Sequence, residues 1–110
     1  MKTEDLIKIP ESIVIHGRAE TRQIFINGAE LKPLKSQMVW NHSPDGFNWG
    51  YGGSGPAQLS LAILLEFIEK QDAVMIHQQF KWDIISILPQ NQNFKLDIKL
   101  RNVVKKLLQI

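Results

Sequence analysis

The sequence predicts an α+β fold, a small antiparallel sheet from an N-terminal hairpin or meander packed against about three helices. Three observations predict it. Residues 12–32 are rich in β-branched and aromatic residues around an Asn-Gly pair; residues 56–68 are apolar on nearly every side; and two later segments carry apolar stripes at helical spacing. One hundred and ten residues, 44% apolar and 22% charged, suit a single domain over 1–110 with one core.

Residues 1–11 alternate charged and single apolar residues up to Pro10 and read as a loose, flexible arm or edge segment. Strands follow near 13–18 and 22–26, with a short third near 29–32. Asn27-Gly28 supplies the two positive-φ positions of a type I′ hairpin turn. Pro33 ends the sheet segment, and 33–55 reads as one long connection without periodicity. A first helix starts at Gly55 or Pro56, with Ser54 or Gly55 as its cap, and its all-round apolar surface marks it as buried. Asp72 is placed to cap a second helix running to Leu88, with Ile76, Phe80, Ile84, Ile87 and Leu88 on one face and Pro89 as its stop. "FKL" adds a short strand. Leu100, Val103, Val104, Leu107 and Leu108 then form the stripe of a last amphipathic helix, whose Lys99, Arg101, Lys105 and Lys106 lie off it.

Totals remove several function classes. With no cysteine there are no disulfides, thiolate metal sites or cysteine nucleophile. A net charge of +2 is no nucleic-acid footprint, and no recognition motif accompanies it, so nucleic acid is not the expected partner. No cationic leader opens the chain and no apolar run approaches a bilayer span, so a cytoplasmic protein without a membrane partner is expected. Nothing in the sequence specifies an oligomer. His16, His42 and His77 lack metal-ligand spacing, so no metal site and no cofactor is assigned; His16 reads as a sheet-edge residue and His77 as a helix-surface residue.

The stretch "NHSPDGFNWGYGGSGPAQLSLAIL" carries the functional signal. Gly50, Gly52, Gly53 and Gly55 permit close backbone approach just before a helix N-terminus, a geometry that favours anions. "GYGGSG" is neither a Walker A loop nor a dinucleotide fingerprint. His42, Ser43, Asp45 and Ser54 include the residue types of a hydrolytic triad, but "GGSGP" lacks the spacing of a nucleophile elbow, and no catalytic residue is assigned. Asp45, in Pro44-Asp45-Gly46, suits a turn that bonds to its own backbone. Lys81 either supplies positive charge to the loop or lays its stem along Trp82.

That stretch, with the later "FKWDIISILP", resembles a family of small proteins of unknown function from bacteria and phages. The resemblance runs from about Gly17 to Pro89, is densest from Asn41 to Leu64, and includes Phe80 and Lys81, whereas the N-terminal arm and C-terminal helix match poorly. It implies no activity. It does imply that the loop is a family signature, and occurrence in phages implies an accessory role on mobile elements. The expected function is a non-enzymatic binding module for a small anionic ligand or a host protein. Its expected site comprises Asn41, His42, Ser43, Asp45, Trp49, Tyr51, Gly52, Gly53, Ser54, Gly55 and Lys81, with Trp49 and Tyr51 as stacking surface. An inhibitor or adaptor that binds another protein is the alternative, and a small hydrolase-like enzyme the third.

Overall fold

In the computed structural model, which describes residues 1–110, Asn27 and Gly28 both take positive φ (+49° and +87°) and close the expected turn. The Asn27 side chain also accepts a hydrogen bond from the Val14 amide at 2.9 Å, tying the turn to the neighbouring strand. Strands β1 (Ile13–Gly17), β2 (Ile24–Ile26), β3 (Ala29–Leu31) and β4 (Phe94–Ile98) form one antiparallel sheet in the order β3-β2-β1-β4. The anticipated "FKL" strand therefore pairs with β1, Ile15 lying opposite Leu96. His16 consequently sits on an interior strand, exposed on the outer face, and is not a sheet-edge residue.

The helices are α1 (Thr3–Leu6), α2 (Leu34–Val39), α3 (Ser54–Leu65), α4 (Lys70–Phe80) and α5 (Leu100–Leu108). Every residue from Gly55 to Leu64 in α3 is buried, as its apolar circumference requires. One core joins Ile13, Ile15, Ile24 and Phe94 of the sheet to Leu59, Leu61, Ile63 and Leu64 of α3, with Phe80 and Leu100 closing it. Gly53, not Ser54 or Gly55, holds the cap position of α3.

Four expectations need correction. Residues 1–11 are not loose: Leu6 and Ile9 are buried, and the Arg101 guanidinium donates to the Ile7 and Ile9 carbonyls at 2.8–3.2 Å. Arg101 thus clamps the N-terminal segment instead of lying free on the outer face of α5. The connection at 33–55 contains α2, whose Leu34 and Met38 face solvent, so it shows no inward apolar stripe to read. Asp72 does not cap α4; Glu69 occupies that position, and the Asp72 carboxylate lies 3.6 Å from the Met1 amino group.

The fourth concerns the second helix, which does not continue to Leu88. After Phe80 the chain makes one π turn, Lys81–Ile85, marked by the Ser86 amide bonding to the Lys81 carbonyl at 2.8 Å. A π turn holds one more residue than an α turn, so the inward position moves from Ile84 to Ile85. Ile85 is fully buried, Ile84 half-buried, and Ile87 is 76% exposed. Ile85→Ala is expected to destabilise the protein by about 2–5 kcal/mol, and Ile87→Ala by no more than about 0.5 kcal/mol. Urea unfolding of both variants checks the register, since a regular helix continued from Phe80 would bring Ile87 onto the buried face.

Candidate functional site

The loop between α2 and α3 divides into two parts with different physics. Its second part is structural. Trp49 has no solvent exposure: its indole N–H donates to the Pro89 carbonyl at 3.0 Å, its ring meets Phe94 edge-on, and the Arg22 guanidinium lies 4.4 Å over it. It therefore offers a ligand no stacking surface, because both the ring and its N–H are spent on the core. Gly50 takes φ +84°, bonds through its amide to the Ile85 carbonyl, and abuts the Gln90 backbone too closely for any side chain. A Cβ at Gly52 would overlap the Trp82 ring, and one at Gly53 the Tyr51 ring; Gly55 faces Asn48. These glycines are required by neighbouring side chains and backbone, with positive φ only at Gly46 and Gly50 in this loop.

The first part is chemical. Gln58 is fully buried in α3, and a buried primary amide must satisfy both N–H groups and its carbonyl. It does so with four bonds. Its oxygen accepts from the amides of His42 (2.7 Å) and Ser43 (3.0 Å), while its nitrogen donates to Ser36 Oγ (2.9 Å) and the Trp40 carbonyl (3.1 Å). Ser36 Oγ in turn donates to Pro33 O at 2.7 Å. This network pins the end of α2 and the next turn against α3, and it fixes where His42 projects.

From that position His42 Nε2 lies 2.9 Å from His77 Nε2. His77 Nδ1 donates to the Val74 carbonyl at 2.7 Å, so its Nε2 must accept, and His42 Nε2–H is the donor. Trp40, 49% exposed, stacks on His42 with ring centroids 4.3 Å apart and touches His77 edge-on. One turn along α4 from His77, Lys81 is only 6% exposed. Its Nζ donates to the Gly52 carbonyl at 3.0 Å and lies 4.3 Å from the Trp82 ring centroid. Lys81 thus reaches the loop, and it is its ammonium group that meets the Trp82 ring. No carboxylate lies within ion-pairing distance of Lys81 or of either histidine.

Electrostatics follow from this arrangement. Burial holds the His42 pKa below its usual value, and repulsion from His77 and Lys81 adds to the effect. Burial also lowers that of His77, against bonds to the Val74 and Ala73 carbonyls that favour the proton, with Lys81 again disfavouring it. The result is a neutral imidazole pair beside a buried ammonium group.

The remaining anticipated residues are scattered around this centre. Asn41 and Asp45 are exposed and form no side-chain hydrogen bond. Ser43 is buried and engaged through its backbone, and the Asp45 turn is closed by the Gly46 amide on the Ser43 carbonyl, without the carboxylate. Ser54 is exposed in the first turn of α3, and no hydroxyl is hydrogen-bonded to a histidine ring. Tyr51 remains partly exposed beside Gly53. No third His, Asp or Glu joins the histidine pair to make a metal-binding group.

The scan for relatives matches residues 15–107 to the model of a family of unknown function (DUF6166). The chain belongs to this family. The match extends past Pro89 and takes in β4 and most of α5, elements beyond the dense signature. No curated protein and no solved structure matches the chain.

His77, Gln58, Trp40 and Ser36 were missed in the sequence, and His77 is not the surface residue it resembles there. A signal existed for two of them. Ala73, Ile76, His77, Phe80 and Lys81 follow the i, i+3, i+4, i+7, i+8 pattern of one helix face, which places His77 with the core. Gln58 is a polar residue inside an otherwise apolar helix, which demands internal partners.

Two outcomes follow. Gln58→Leu strands the Trp40 carbonyl and the amides of His42 and Ser43, and is expected to cost at least about 2 kcal/mol in urea unfolding. Both histidines protonate less readily in the folded chain than in the unfolded one, so the unfolded chain gains protons first as pH falls below about 6.5. Stability contributed by the pair is complete above that pH and is lost between it and the lowered folded-state values. The melting temperature should therefore drop by a few degrees on that acid limb, and the His77→Gln variant should show a shallower drop.

Proposed function

We propose that this protein is a binding module whose site is the face formed by His42, His77, Lys81 and the turn at Gly52–Ser54, and that it receives an anionic group. The observation that carries the reading is Lys81, a residue only 6% exposed whose ammonium group has a carbonyl for an acceptor and no carboxylate to neutralise it. A charge removed from water is normally paired, because desolvation penalises it strongly. The start of α3, two residues beyond Gly52, adds the positive end of a helix dipole nearby. An anion placed here meets the ammonium group and the dipole, beside the imidazole pair. The absence of any hydroxyl bonded to a histidine ring favours binding over hydrolysis. Action in the cytoplasm, and an accessory role on mobile elements, belong to the same proposal.

A second reading, a protein partner presenting the acidic group, is supported by the surface chemistry. Trp40, Tyr51 and Trp82 are all partly exposed; Trp40 touches the histidine pair and Trp82 the Lys81 ammonium group. Exposed Trp and Tyr are typical anchors of protein interfaces.

The test is a thermal titration with sulfate, phosphate and nucleoside monophosphates at constant ionic strength. Binding to the native state raises stability by about 2.7 kcal/mol at a ligand concentration of 100 times Kd. Wild-type protein is expected to shift upward with at least one anion, and Lys81→Met, which keeps the stem and removes the charge, to lose the shift. No shift of the wild type with any of them at large excess would sink the small-anion reading.

A further inference from the structure

The hydrogen-bond arrangement of the two histidines sets how many protons the site can hold. His77 Nδ1–H is committed to the Val74 carbonyl, and the single proton between the two Nε2 atoms belongs to His42. The open nitrogen is His42 Nδ1, on the less buried of the two rings, where no protein group donates to it. We infer that an anion binds at this site together with one proton, taken up at His42 Nδ1. This rests on the anion-binding reading above and adds its regulation: affinity rises as pH falls.

The capacity is one proton for a geometric reason. With His42 Nδ1 protonated, the Nε2–H···Nε2 bond and the bond to Val74 both survive. A second proton on His77 Nε2 would set two N–H groups against each other at 2.9 Å and break the pair. The charges acting on the pair are Lys81, from the same helix as His77, and the partner imidazole. What α3 presents to this turn is the neutral Gln58 amide, and the loop presents the Trp40 ring. Without an anion, burial and Lys81 both oppose the proton. An anion against Lys81 reverses the sign of the local field and so favours the proton on His42 Nδ1. By linkage, whatever the anion does for the proton, the proton does for the anion.

The test uses sulfate, which stays a dianion across the range, at millimolar concentration with ionic strength held by sodium chloride. Sulfate affinity is measured by calorimetry between about pH 5.5 and about pH 8. The wild type is expected to bind more tightly on the acid side, by up to about tenfold per pH unit for one coupled proton. Repeating the calorimetry in two buffers of different ionisation enthalpy counts the protons on the unmutated protein, and uptake approaching one is expected. His42→Gln should retain weaker, pH-independent binding through Lys81. Equal affinity at every pH, or zero proton uptake, overturns the coupling while leaving the anion site standing. Coupling that persists in His42→Gln overturns the assignment to His42. No binding at any pH overturns both the coupling and the small-anion reading.

Discussion

A single buried amide organises the part of this protein that carries chemistry. Gln58 sits in the one helix surrounded by core, where an unsatisfied amide would cost more than the helix could tolerate. It is satisfied only because the segment from Ser36 to Ser43 folds over it and supplies two acceptors and two donors. The dependence runs in both directions. The amide stabilises an irregular segment that has little apolar content to bury, and that segment completes the amide. Networks of this kind specify one arrangement, since a partly made version is worse than none.

The consequence is a precise placement of His42. Held by its own backbone N–H, it reaches across to His77 on another helix, and its ring is covered on one side by Trp40. The second half of the loop works differently. It is anchored by Trp49 in the core, and its glycines are the spaces that Trp82, Tyr51, Asn48 and the Gln90 backbone fill. A glycine-rich stretch that looks like an anion cradle is therefore mostly a packing solution. The positive charge beside the stretch comes from Lys81, outside it.

Lys81 is itself the first residue of the π turn. It falls one turn beyond His77, facing the loop, and the extra residue of the π turn lets Ile85 return to the core while Trp82 lies over Gly52. Irregular turns of this kind are common at functional positions, because they aim side chains that a regular helix would not. Here it lets one short segment serve the core and the cationic cluster together. No helix of the protein is long and apolar enough to cross a membrane.

Local chemistry determined much of this by itself. Asn27-Gly28 dictates a hairpin because both residues tolerate positive φ, the all-round apolar run dictates that α3 is buried, and the stripe from Leu100 to Leu108 dictates an amphipathic helix. Those outcomes depend on neighbours in the chain and are legible there. Tertiary structure alone decided the rest. It turned Trp49 into the core, paired His42 with His77 across 35 positions of sequence, docked the N-terminal segment through Arg101, and shifted the register after Phe80. Each is a contact between segments distant in the chain, made where a buried polar group needs a partner or a cavity needs a side chain. Periodicity records which face of a helix is wet, and it carries no record of what that face will meet.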